Sequence, residues 1–264
     1  MHLIDLITPD WPAPPCVKAL FSTRVGGVST GPYASLNLGA HVGDETVQVS
    51  ENRRRLHECL PAAPAWLNQV HGVNVVLGET IRSPSDGLVQ ADGVVTTQRH
   101  IPCAVLVADC LPVLFCSEDG AVVGAAHAGW RGLQRGVLER TVEIMSAKAT
   151  KMMAWLGPAI GPTAFEVGSE VFDAFTAVSP EDVSAFRPVA GKRDKYLADI
   201  YELARRRLER AGVPEIYGGQ YCTVTESTRF FSYRRDGQTG RMAGLIWIDS
   251  FATRALSGGQ LVAW

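Results

Sequence analysis

Apolar residues fall along this chain in short runs bounded by glycine, proline and charged positions, which is the pattern of buried strands. Runs at residues 66–70, 73–77, 103–108 and 113–116, completed by 121–126, predict a central sheet, and runs at 17–22 and 152–156 predict two more strands. Further strands are expected at 216–221, 230–233 and 245–248. Spacings of three to four residues predict helices instead. One is charged and covers 47–59, one begins near Leu133 with Leu133, Val137 and Ile144 on a single face, and one carries the stripe Ile200, Leu203, Ala204, Leu208 and Ala211 with its arginine-rich side toward water. The proline-rich start, to Pro15, predicts an extended arm, and the Gly- and Ser-rich residues 23–39 predict a loop. Strands and helices alternate without a strict strand–helix–strand rhythm, so a mixed α/β fold in a single domain over residues 1–264 is expected.

Composition narrows the class. With 46% hydrophobic and 20% charged residues the chain can bury a sizeable core and is not of the disordered type. A formal charge of -2 gives no general attraction for nucleic acid or anionic membrane, although a local basic pocket is compatible with it. The N-terminus lacks the basic-then-apolar order of a secretory signal, and no uninterrupted apolar stretch approaches about 18 residues. A cytoplasmic protein without nucleic-acid or membrane partners is the expectation. Six cysteines (Cys16, Cys59, Cys103, Cys110, Cys116 and Cys222) are dispersed with no CxxC pair, which reads as reduced thiols.

Reactive side chains concentrate beside glycine or proline in Asn68-Gln69-Val70-His71-Gly72, Ala108-Asp109-Cys110-Leu111-Pro112 and His127-Ala128-Gly129-Trp130-Arg131-Gly132. Each segment closes or follows a predicted strand, where a rigid sheet can aim side chains into one cleft. Two imidazoles and a thiolate, from His71, His127 and Cys110, suit Zn²⁺ and would leave a fourth position open. The separations of 39 and 17 residues are too long for a local metal motif, so satisfied histidines and a buried cysteine remain the alternative. Arg131, beside a glycine-rich turn and a helix start, suits a phosphate or carboxylate, or is simply solvated. Arg234 and Arg235 could meet an anion or only end a strand, and Arg24 and Asn37 could touch substrate or form turns. The zinc base-deaminase signature, a Walker loop, a G-x-S-x-G elbow and an H-E-x-x-H helix are all absent.

Taken together, Ser22-Thr23-Arg24-Val25-Gly26-Gly27-Val28-Ser29, Ser35-Leu36-Asn37-Leu38-Gly39, the three segments above and Phe231-Ser232-Tyr233-Arg234-Arg235-Asp236-Gly237 resemble the YfiH-like family nearly end to end. That family was long labelled multicopper polyphenol oxidase or laccase-domain protein and is now described as zinc-dependent purine nucleoside phosphorylase with adenosine deaminase and methylthioadenosine phosphorylase activities. One bacterial member is also linked to peptidoglycan editing. The resemblance implies His71, Cys110 and His127 as zinc ligands and an α/β sandwich related to a cytotoxic-necrotizing-factor-like toxin fold with a Cys-His deamidase site. This chain departs from many relatives at Ala164-Phe165, where they carry Cys-Tyr, which puts any role of that tyrosine hydroxyl in doubt here. Multicopper chemistry is rejected on the sequence: it has six histidines and no H-x-H pair, although adventitious Cu²⁺ could bind the His/Cys site.

The expected reaction joins a purine nucleoside and phosphate, with the ribose near zinc and the phosphate near Arg131, aided by Arg24 or Arg234. Deamination would use water activated at the same centre. Asp109 is expected to support the ligands or handle a proton, and the protein to be a monomer or homodimer. Two other readings use the same residues: a hydrolase with Cys110 as nucleophile and His127 as base, acting on an amide or peptidoglycan precursor, and a non-catalytic zinc protein.

Overall fold

Strands that are apolar at every position cannot keep a wet face, and the sheets stack accordingly. Along Leu111–Ser117, Val113 and Phe115 face a layer of helices while Leu114 and Cys116 face a second sheet. Met242–Ile248 repeats the device in that second sheet. Its Ile246 and Ile248 point toward the first sheet, and Leu245 and Trp247 point toward a core that includes Leu56 of the helix Thr46–His57. The computed structural model, which describes residues 4–64, 66–81, 88–148 and 151–250, is therefore a layered α/β sandwich.

The central sheet has six strands in the order Glu215–Gly218, Met152–Leu156, Leu111–Ser117, Val123–Ala128, Gly93–Thr96 and Val75–Leu77. Helices Val137–Ser146 and Ile200–Arg210 cover one face of it. The second sheet runs Leu6–Ile7, Val17–Ser22, Met242–Ile248 and Cys103–Val107. Trp155, 1% exposed, fills the layer between the sheets, and a Cβ at Gly157 would come within 2.7 Å of its ring. We expect Trp155→Ala to lower the unfolding free energy by about 3–5 kcal/mol in denaturant titration; a cost below about 1 kcal/mol would show that the layer repacks freely.

Several expectations change. The run at 103–108 does not join the central sheet, because an apolar pattern reports burial and not which strand lies alongside. Residues 230–233 form no strand: Phe230 and Phe231 are buried in a loop, and Ser232 caps the helical turn Tyr233–Asp236 by accepting from Arg235 N at 3.2 Å. The helix expected near Leu133 begins earlier, as Trp130–Arg135, then breaks at Gly136, whose φ of 99° lies in the left-handed region, before Val137–Ser146. The run at 66–70 shortens to Leu67–Asn68, paired with Val89–Gln90, and that at 216–221 becomes Glu215–Gly218. The arginine side of Ile200–Arg210 is not all wet, since Arg207 is buried against Glu139 at 2.6 Å. The strand Gly93–Thr96 and the small sheet of Glu166–Gly168, Lys195–Ala198 and Phe186–Pro188 were not anticipated. Within the expected N-terminal arm Leu6–Ile7 pairs with Val17–Ser22, and residues 1–3 lie outside the described residues. Among the described residues no helix is long and apolar enough to cross a membrane.

Candidate functional site

Three chain reversals meet at one end of the central sheet. Cys110 stands at the corner where the chain leaves Cys103–Val107 in the second sheet and enters Leu111–Ser117 in the first. His127 lies near the end of Val123–Ala128, in register with Pro112, and is 3% exposed. His71 sits in the turn after Leu67–Asn68. Its φ of 58°, like the 96° of Asp109 beside Cys110, is a left-handed conformation that costs a non-glycine residue about 1–3 kcal/mol and that functional sites often hold.

The ligand atoms of His71, Cys110 and His127 lie within 4.8 Å of one another, a group that could hold a metal ion. Cys110 Sγ is 3.6 Å from His71 Nε2, and the two imidazole rings meet edge to face with centroids 4.8 Å apart. Gly129 makes this approach feasible, since a Cβ there would lie 2.9 Å from Cys110 Sγ and 2.7 Å from His71 Cδ2.

Behind the donors lies a residue that the sequence reading missed. Asp92, fully buried, accepts from His127 Nδ1 at 2.8 Å and from the backbone amides of Val70, His71 and Gly72 at 3.2, 2.9 and 2.7 Å. The only local signal was an acidic residue between Ala91 and Gly93 at the start of an apolar strand.

Charge follows from this packing. Burial opposes ionisation of the Cys110 thiol, but the facing His127 and hydrogen bonds to both imidazoles bring its pKa down to about 6. Burial likewise opposes protonation of His127, yet Cys110 and Asp92 raise its pKa to about 9. Asp92 is held below the usual carboxylate range, since its bonds to His127, Gly72 and Val70 outweigh its burial. Without a metal, the arrangement is a thiolate–imidazolium pair with a carboxylate orienting the imidazole.

Two cavities open on the donors, both walled by His71, Ala108, Cys110 and Tyr233. The larger, of about 370 Å³, adds His127, His41, Gln69 and Arg241. Its neighbour, of about 280 Å³, adds Arg131 and Arg234 with the apolar Trp130, Phe165, Ile160 and Ile200. A more open hollow of about 800 Å³, ringed by Arg135, Glu139 and Arg207, includes none of the three donors. We take the two smaller cavities as the site because they contain the chemistry.

The remaining expected residues separate. Arg131 lies over the Trp130 ring and donates no hydrogen bond to a described side chain or carbonyl. Arg234 gives Nη1 to the Glu166 carbonyl at 2.8 Å and its backbone N–H to Asp109 Oδ2 at 2.6 Å. The other oxygen of Asp109 accepts from Thr223 Oγ1 at 2.6 Å, so this carboxylate pins two loops together at the wall of the smaller cavity. Arg24 lines neither cavity; its donors go to the carbonyls of Ala34 and Ser227. Asn37 is buried and supports the larger cavity from behind, accepting from Arg241 N at 2.8 Å. Arg235 is committed to the carbonyls of Thr223, Val224 and Phe230. Arg241 and His41 were not foreseen, for they come from distant, unpatterned positions, whereas Gln69 lies in the segment that carries His71 but was assigned no role there. Phe165, where an expected hydroxyl is missing, is one wall of the smaller cavity. None of the six cysteines is in a disulfide.

A family model described as multi-copper polyphenol oxidoreductase laccase matches residues 18–249. A protein of Escherichia coli named purine nucleoside phosphorylase YfiH is 54% identical over 247 residues, covering 92% of this chain and 98% of that one. A purine nucleoside phosphorylase of Pseudomonas aeruginosa is 52% identical over 243 residues, again covering 92% and 98%. Among solved structures, a Neisseria meningitidis protein matches with a TM-score of 0.88 at 52% identity, over 93% of this chain and 99% of its own. YlmD of Geobacillus stearothermophilus matches with a TM-score of 0.83 at 35% identity, over 89% and 93%.

Proposed function

The chain belongs to the family described as multi-copper polyphenol oxidoreductase laccase, and from that membership and the site's geometry we propose that it is a zinc-dependent purine nucleoside phosphorylase that also deaminates adenosine. One observation carries the reading: two cavities share a wall at His71 and Cys110, and the larger of them also reaches His127. Displacement at an anomeric carbon needs the nucleophile on one face and the leaving base on the other. The larger cavity would take the nucleoside, with the pentose at the shared wall, and the smaller would take phosphate. Arg131 and the remaining guanidinium donors of Arg234 neutralise and orient that phosphate. A phosphate oxygen attacks the anomeric carbon, the carbon–nitrogen bond breaks, and its electron pair leaves with the base, which takes up a proton.

The donor set fits zinc. Bonds of about 2.3 Å to sulfur and about 2.0–2.1 Å to nitrogen in a tetrahedron set the two donors about 3.6 Å apart, and the separation of Cys110 Sγ from His71 Nε2 is 3.6 Å. When bound, zinc supplies Lewis-acid and water-activating chemistry. The family's description names copper, but among the described residues only one group of three such donors converges, too few imidazoles for a multicopper centre.

The test is chromatography of adenosine and inosine incubated with metal-analysed protein, with and without phosphate. Free base formed only with phosphate supports the reading; intact nucleosides beside stoichiometric metal would sink it. Inosine formed from adenosine without phosphate reports the deaminase. Arg131→Ala and Arg234→Ala should each raise the KM for phosphate roughly 10–100-fold, the worth of a charge-assisted hydrogen bond, with little change in the KM for nucleoside. Equal effects on both substrates would remove phosphate from the smaller cavity. A second reading, a Cys-His hydrolase, is favoured by one observation, the Cys110–His127–Asp92 arrangement.

A further inference from the structure

We infer that Asp92 is the positioning residue of this centre, a single buried carboxylate that sets both imidazoles, His127 through its ring and His71 through the turn that carries it. The inference rests on the metal-site reading above and adds the group that holds the donors in place.

Four donors converge on this carboxylate: His127 Nδ1 and the amides of three consecutive residues, Val70, His71 and Gly72. Two carboxylate oxygens offer about four acceptor sites, so every donor is satisfied. An ionised carboxylate can only accept, and therefore Nδ1 of His127 carries a proton, which leaves Nε2, on the Cys110 side, as the nitrogen that gives its lone pair to a metal once the imidazolium has lost its second proton. On the other side the three amides wrap Asp92 because His71 adopts its φ of 58°, and the same bonds hold that turn against its conformational cost. The main chain adds a further tie, since His127 N donates to the Asp92 carbonyl at 2.7 Å. One side chain thus fixes the separation and rotation of two donors that stand 56 residues apart in sequence.

Asparagine cannot do this. It has one acceptor oxygen and an NH₂ group where four donors need acceptors. If the NH₂ turns to His127, the proton moves to Nε2 and the lone pair is lost. If it turns to Val70 and Gly72, the His71 turn opens.

The experiment measures Zn²⁺ affinity by chelator competition in the folded wild type, D92N and D92E. Spectra of the Co²⁺-substituted proteins and melting temperatures of the metal-free proteins accompany it. We expect zinc binding about 10–100-fold weaker in D92N with an altered cobalt spectrum, and partial recovery in D92E, which restores the acceptors but displaces them. Wild-type affinity and an unchanged cobalt spectrum in D92N would overturn the inference even if the melting temperature fell, because that fall alone is what a merely structural carboxylate predicts. Should D92N not fold, D92E decides: wild-type affinity and spectrum there overturn it equally. Zinc-binding wild type without phosphorolysis, beside weakened zinc binding in D92N, would sink the nucleoside reading and support this one. A wild type that takes up no zinc would sink both.

Discussion

Gly129→Ala is expected to strip the metal and turnover from a protein that still folds. The backbone at Gly129 has φ -61° and ψ 154°, an extended conformation that alanine adopts without strain, so no backbone penalty is added. The methyl group, however, would lie 2.9 Å from Cys110 Sγ and 2.7 Å from His71 Cδ2. Contacts that short force the donors apart. Both are side-chain ends and can swing away at small cost to stability, but not without leaving their shared point. A displacement of about 1 Å in a reacting constellation costs on the order of 100-fold in rate, and metal affinity should fall by at least a comparable factor. Bound zinc, turnover and circular dichroism would be compared in the same samples. Stoichiometric zinc and normal turnover in the variant would mean that the donors do not act from these positions.

The second large effect concerns Cys110. In metal-free protein the facing imidazoles bring its pKa down to about 6, so the thiolate prevails at pH 7, whereas an unperturbed cysteine is mostly protonated there. Alkylation of Cys110, followed by peptide mass mapping, should rise through about pH 6 and then level off. Cysteines without such a partner continue to gain reactivity through about pH 8–9. The sign follows from His127, which remains protonated until about pH 9 and so favours the thiolate across this window. Zinc should suppress the labelling at every pH, because a coordinated sulfur is withdrawn as a nucleophile. Suppression together with phosphorolysis favours the phosphorylase. Labelling unchanged by zinc, with amide hydrolysis lost in Cys110→Ala, would favour the hydrolase reading instead.

Much of the architecture was legible because burial on both faces leaves a mark. The runs at 113–116 and 245–248, which lie inside the strands Leu111–Ser117 and Met242–Ile248, are unbroken and apolar since each alternate side chain enters a different core. The helix Ile200–Arg210 was equally legible from its stripe, and Asp199 caps it by accepting from Tyr201 N and Glu202 N. The failures have a common origin. Phe230 and Phe231 look like strand residues, but they are buried by loop packing, which carries no period. Cys103–Val107 has the composition of its neighbours and pairs in another sheet, since pairing depends on which edge is near. Arg207 resembles a solvated helix residue until Glu139 is brought across to it.

The site divides along the same line. Sequence alone determined the chemistry on offer: two imidazoles and a thiol at turns after strands, an arginine beside a glycine-rich turn, and too few histidines for a multicopper centre. Tertiary structure decided which groups act together. It closed separations of 39 and 17 residues to within 4.8 Å, spent Arg24 and Asn37 on holding loops, and set Asp92 and Gly129 against the donors. The reason is physical. A side chain's chemistry travels with its residue, whereas distance, burial and the surrounding field, which set pKa and donor geometry, arise only when strands remote in sequence pack against one another.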